Sequence, residues 1–232
     1  MNAVSTYQSP LGELLLAADE EGLTGMWFQG QKYFAAGLGE ETETRRLPVF
    51  EETKRWLDLY FQGKRPDFFP ALHMQGTPFQ KLVWELLLQI PYGETITYGE
   101  LAGQIAAQLG RASMSAQAAG GAVGHNKISI LIPCHRVVGR DQSLTGYAGG
   151  LERKKWLLEL EQGKHQVFPG TVRGSVSGRL YFRLSTDGER YRRHCGRPWK
   201  NEADSGSPQH FRYRQWKALS ASAAPLPLSY GS

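Results

Sequence analysis

Cysteine is scarce in this chain: two in 232 residues, Cys134 and Cys195, standing 61 positions apart. That number and spacing do not suggest a disulfide framework, and no CxxC pair offers a zinc site. No metal and no cofactor are therefore expected, and a free thiol points to a reducing, cytoplasmic setting. Long apolar runs are missing as well. No stretch approaches the roughly 20 residues of a spanning helix, so no membrane partner is expected. The first residues, MNAVSTYQSPLGELLLAADEEG, lack the basic-then-apolar order of a secretory signal. Charge of one sign is concentrated rather than general. Residues 166–232 hold 11 Lys+Arg against 4 Asp+Glu, which leaves 16 basic and 18 acidic groups in residues 1–165. The net charge of +5 is thus a property of the tail and says little about what the folded part binds.

What is present is ordinary for a globular protein: 41% hydrophobic and 21% charged residues, enough for one large domain or two small ones. Residues 3–9, 13–19 and 22–29 read as short strands, punctuated by Gly12 and the Asp19–Gly22 cluster. Residues 30–47 read as a loop with a weak helical piece. Phe50, Thr53, Trp56, Leu57 and Tyr60 fall at helical spacing, predicting a helix over 49–62 that Gly63 stops. Residues 1–73 form an α/β unit without a chemical motif.

The second half is better marked. Thr77-Pro78 starts a helix whose stripe is Phe79, Leu82, Val83, Leu86, Leu87 and Ile90. Thr97-Tyr98-Gly99-Glu100 fits a capping box and opens a helix to about Leu109. After a short turn at Gly110, Ser115–Val123 opens another, giving a helix-turn-helix. This second helix is almost bare: Ala116, Ala118, Ala119, Gly120, Gly121 and Ala122. Two explanations stand for it. It packs closely on a neighbouring helix, or it presents a smooth surface to a nucleic acid.

Ile128–Val138, read ISILIPCHRVV, is expected to be a buried strand that carries Cys134 to its end, with His135 and Arg136 beside it. A thiol needs a base or a cation to become a nucleophile. Adjacent residues on an extended chain point in opposite directions, so a bridging water fits Cys134 and His135 better than direct contact. A last helix, Leu151–Glu161, places Glu161 on the face of Leu157 and Leu158. A carboxylate on an inward face needs a partner, and His135 is the nearest candidate. Nucleophile, base and orienter are then all named.

IPCHRVVG, preceded by the helix-turn-helix and followed by LTGYAGGLERKKWLLELE, resembles the methylated-DNA–protein-cysteine methyltransferases. The likeness runs upstream through TPFQKLVWELLLQIPYGETITYGELA and covers about residues 74–163. It implies an α/β, ribonuclease-H-like N-terminal domain (1–73) and a mostly helical DNA-binding domain with a helix-turn-helix (74–165). It also implies direct-reversal repair, in which Cys134 takes the alkyl group from 6-O-alkylguanine once and irreversibly. A 4-O-alkylthymine is a second candidate substrate. His135 would act through water as the base, Glu161 would complete the relay, and Asn126 would tie the recognition helix to the cysteine segment. Tyr98 would press on the phosphate beside the lesion. Gln117, Ala118, Gly121 and Arg136 would join Tyr98 in binding DNA, and Val137, Tyr147 and Ala148 would line the base pocket. The implied partner is double-stranded DNA bearing an alkylated guanine, met by a monomer without an obligate protein partner.

Position 117 departs from the family's commoner Arg; Gln is long enough to enter the stack but brings no charge. A non-catalytic lesion-binding protein is the alternative, which the presence of Cys134 disfavours. A Cys-His hydrolase is a third, and it gives the helix-turn-helix no use. Residues 166–232 are rich in Gly, Ser, Pro and Arg and are expected to be an irregular basic extension. Within it, Leu180–Leu184 with Ser185–Gly188 is a weak hairpin candidate, and Cys195 is expected to be a free thiol without a role.

Overall fold

Gly12 turns the chain back on itself between β1 (Asn2–Ser9) and β2 (Gly12–Ala18) with φ +106°, a conformation that favours glycine. β3 (Leu23–Phe28) pairs antiparallel with β2. The computed structural model describes residues 2–165; the expected basic extension, its hairpin candidate and Cys195 lie outside them. A fourth strand, β4 (Thr42–Thr44), pairs parallel with β1, giving the sheet order β3-β2-β1-β4. The sequence predicts a loop here. All three of its residues are exposed, so no buried face imposes a pattern on them.

α1 (Pro48–Phe61) buries Phe50, Trp56, Leu57 and Tyr60 against the sheet, the stripe expected from their spacing. The chain then runs back to the edge of β3, where Leu23 N–H donates to the Ala71 carbonyl and His73 N–H to that of Leu23. His73 Nδ1 lies 2.6 Å from Asp19 Oδ2, which pins this connector to the β2–β3 turn.

α2 (Pro78–Leu87) begins with a capping box in which Thr77 and Gln80 exchange hydrogen bonds. β5 (Ile96–Thr97) leads into α3 (Tyr98–Gln108), capped the same way by Thr97 and Glu100. α4 (Ala116–Gly124) follows, with Ser115 accepting from Ala118 N–H. Its inner face, Ala119, Ala122 and Val123, is buried, and Trp84 Nε1 donates to the Ala122 carbonyl at 3.0 Å. α4 therefore packs closely on α2 on one side only. A Cβ at Gly120 would make ordinary contact with the Tyr98 ring at 3.6 Å, and one at Gly121 would meet nothing within 4 Å. The bareness of the outer face is not required by packing among the described residues.

Ile128–Val138 is not a strand. Only Ile128 bridges to β3, through Met26, and the chain then coils on itself. Ile130 adopts φ +66°, a strained conformation for a β-branched residue. Cys134–Arg136 form a single 3-10 turn, and only β6 (Val137–Val138) pairs, in parallel with β5. The expectation failed because a short apolar run buried on every side has the same appearance whether it is extended or coiled. α5 (Leu151–Glu161) closes the fold over this turn.

Candidate functional site

Asn126 follows α4 and is buried, and its side chain explains why the next segment coils. Nδ2 donates to the carbonyls of Ile128 and Ile132 at 3.2 and 2.9 Å, while Oδ1 accepts from Ile128 N–H. The same Nδ2 lies 3.1 Å from Cys134 Sγ. One amide at the end of α4 thus joins that helix, the coiled segment and the thiol. Burial pushes the Cys134 thiol up, and Asn126 and the nearby Lys154 ammonium draw it back without cancelling the rise.

His135 is 0% exposed and turns away from the surface, with Nε2 2.7 Å from Glu161 Oε1. Since Nε2 donates there, Nδ1 is left as the acceptor, and it has no partner among the described residues. Burial holds the imidazole below its ordinary range despite the raising effect of Glu161, so the ring is neutral. Burial alone would raise the Glu161 carboxyl; His135 and Arg136 outweigh it and hold it well below the usual carboxylate range.

Arg136 corrects an expectation. It is 8% exposed, and its guanidinium is committed to the interior: Nε to Glu161 Oε2 at 2.8 Å, Nη2 to Oε1 at 3.0 Å, Nη1 to the Ile90 carbonyl at 2.6 Å. It anchors Glu161 and does not face a DNA surface. A bidentate pair supplies two of the donors that the buried carboxylate needs beyond His135.

Of the residues expected to line a base pocket, Tyr147 lies close enough to Cys134 for the thiol's charge to act on its hydroxyl. Val137 is fully buried, and Tyr147 sets its ring edge-on to His135 at 6.5 Å. Burial drives the Tyr147 hydroxyl well above its ordinary range, so it is a neutral group. Ala148 is half-buried. Tyr98 is half-buried, its hydroxyl donating to the Gly146 and Thr145 carbonyls at 2.9 and 3.3 Å. It therefore braces the loop that carries Tyr147. Gln117 and Gly121 are exposed and Ala118 half-exposed on the outer face of α4.

Four contributors escaped sequence reading: Lys154, Tyr60, Gln31 and Lys32. Lys154 is fully buried, and its Nζ donates to the Val137 and Thr145 carbonyls, tying α5 to β6 and to the loop that carries Tyr147. Burial lowers its pKa to about 8, against the raising effect of Cys134. It lies on the same α5 face as Leu157, Leu158 and Glu161, so the periodicity that singled out Glu161 also pointed to it. Tyr60 of α1 donates to Glu161 Oε1 at 2.7 Å. Gln31 accepts from Ser129 Oγ at 3.2 Å, and Lys32 N–H donates to the Ala148 carbonyl at 3.0 Å. The N-terminal unit, which shows no motif, touches the site at each of these points.

Comparison with known proteins accounts for both halves. Residues 3–72 match the family described as 6-O-methylguanine DNA methyltransferase, ribonuclease-like domain, and residues 78–163 match its DNA binding domain. The methylated-DNA–protein-cysteine methyltransferase of Haemophilus influenzae is 42% identical over 157 residues, 67% of this chain and 84% of that protein. The protein of the same name from Methanosarcina acetivorans is 44% identical over 156 residues, 67% of this chain and 95% of its own. Among solved structures, Mycobacterium tuberculosis OGT in complex with DNA superposes with a TM-score of 0.61 at 41% identity, covering 70% of this chain and 94% of that one. A ribonuclease-like domain followed by a helical DNA-binding domain is thus the fold, and DNA is the partner. The chain belongs to the methylated-DNA–protein-cysteine methyltransferases, DNA-repair enzymes that move an alkyl group from DNA onto a cysteine of their own.

Proposed function

We propose that the alkyl group of 6-O-alkylguanine in duplex DNA is transferred once to Cys134. The observation that carries this assignment is the buried chain of Asn126, Cys134, His135 and Glu161, in which Glu161 fixes the His135 tautomer and leaves Nδ1 as a free base. The thiol proton passes by way of water to Nδ1. Sγ attacks the alkyl carbon, the S–C bond forms, and the C–O6 bond breaks with its electron pair going to the guanine oxygen. The base then takes up one proton and becomes guanine, so thiol plus alkylguanine balance thioether plus guanine. Lys154 supplies the nearby positive charge that favours the thiolate in a site where burial opposes it.

A stacked base hides its O6, so the nucleotide must be turned out, at a cost of a few kcal/mol. The bare outer face of α4 suits close approach to a groove, with Gln117 entering the stack and Ala118 and Gly121 giving clearance. Tyr98 adds the push on the adjacent phosphate, and Val137, Tyr147 and Ala148 receive the base. One chain holds every group invoked, which supports a monomer, and the free thiol suits the cytoplasm. The test is incubation with a methylguanine duplex followed by peptide mass mapping. One methyl on the Cys134 peptide, absent from Cys134→Ala, is expected; multiple turnover or binding without a mass change would refute the assignment.

A further inference from the structure

Tyr60 belongs to the ribonuclease-like domain, yet its hydroxyl ends on the carboxylate that orients His135. The residue is 0% exposed. Its ring is held by Trp56, stacked at 5.1 Å, and by the edges of Phe61 and Tyr92 at 5.4 and 6.0 Å. The hydroxyl donates to Glu161 Oε1 at 2.7 Å and lies 3.5 Å from His135 Nε2. That one oxygen therefore serves three donors: Tyr60, His135 Nε2 and Arg136 Nη2. Each donor draws on the same charge, so each weakens the hold of Glu161 on the others. Burial keeps the Tyr60 hydroxyl far above its ordinary range, so it donates and does not titrate.

We propose that Tyr60 is a positioning residue of the transfer site, tempering the Glu161–His135 pair so that His135 stays neutral and free to accept the Cys134 proton. This rests on the relay read above. The groups facing His135 are Glu161 and Lys154 from α5, Arg136 and Cys134 from its own turn, Tyr60 from α1 and Tyr147 from the pocket loop. Tyr92, between α2 and β5, feels Glu161 as well. Arg136 and Lys154 oppose a charged imidazole, and Glu161 favours one. Removing the Tyr60 donor leaves more of the Glu161 charge to His135, which must raise its basicity.

The experiment is the single-turnover rate of transfer from a methylguanine duplex to Cys134, followed from about pH 5 to about pH 8. Tyr60→Phe is expected to move the rising limb upward by about one pH unit, the size implied by losing one hydrogen bond to a charged group. The rate below the limb should fall about tenfold, with the plateau held within about twofold. Replacing Tyr60 by 3-fluorotyrosine, a stronger donor of the same shape, should move the limb down. Phe61→Leu, a packing change on the same helix, should leave it in place. In a Glu161→Gln background, Tyr60→Phe should shift nothing further. A limb that Tyr60→Phe leaves unmoved, or moves no more than Phe61→Leu does, overturns the proposal. If Glu161→Gln alone changes neither rate nor limb, the relay itself is wrong. If Glu161→Gln slows transfer and Tyr60→Phe does not move the limb, only the role of Tyr60 is lost.

Discussion

Glu161 receives five donors: the Tyr60 hydroxyl, His135 Nε2, two nitrogens of Arg136 and the Gly93 amide. Removing its charge strands Arg136 in the interior, so Glu161→Gln should destabilise the fold by about 3–5 kcal/mol at neutral pH, measured by urea denaturation. Its folded pKa is depressed, so this contribution is fully present above the unfolded value of about 4.3 and fades as pH falls toward the folded one. The gap between wild type and variant should close accordingly in acid. Lys154 has the same sign in an alkaline window. Its folded pKa of about 8 lies below the ordinary lysine value, so the unfolded chain binds more protons between the two. Stability from this group should therefore rise as pH climbs above about 8, toward about 10.4. Transfer should slow over the same range as the thiolate loses its neighbouring cation. Opposite trends in a denaturation series and a rate series would show this; parallel trends would not fit. Both groups stand on one inward face of α5, where Leu157 and Leu158 made the Glu161 position readable in the sequence. Lys154 was passed over because a lysine is ordinarily a solvated residue, and Arg136 was misplaced because nothing local says that a guanidinium turns inward.

At the scale of elements, the helices were readable and the cysteine segment was not. Thr77, Thr97 and Ser115 start their helices by chemistry that lies within a few residues, so sequence alone places them. The coil of Ile128–Ile132 depends on Asn126 reaching two carbonyls and a thiol, a pattern with no period. Close packing accounts for one side only of the bare helix. Ala119 and Ala122 pack inward, while a Cβ at Gly121 meets open space. Gly121→Leu should thus keep or slightly raise stability, since glycine costs about 1 kcal/mol in a helix. The same variant should weaken duplex binding at least about tenfold if this face enters a groove. Thermal unfolding and duplex titration on one variant separate the two effects. Gln117→Arg on the same face should tighten duplex binding and steepen its salt dependence by about one counterion. An unchanged slope would remove position 117 from the DNA contact.

At the scale of the whole molecule, the charge is divided from the chemistry. Tyr60, Asn126, Cys134, His135, Lys154 and Glu161 all lie within residues 2–165, as do both stretches matched by the family. Residues 166–232 instead carry the 11 Lys+Arg against 4 Asp+Glu that make the chain basic. A cation that meets phosphate releases counterions, and its effect on affinity fades as salt rises. A chain ended at residue 165 should therefore transfer the alkyl group at the full rate once duplex is saturating. Its deficit should appear only in duplex affinity, be largest at low salt, and shrink as log K is followed against log salt. The truncated chain should also bind undamaged duplex less tightly in the same proportion, because phosphate contacts do not distinguish a lesion. A truncated protein that bound as before but transferred about tenfold more slowly would place part of the transfer machinery beyond residue 165, contrary to the geometry of the site.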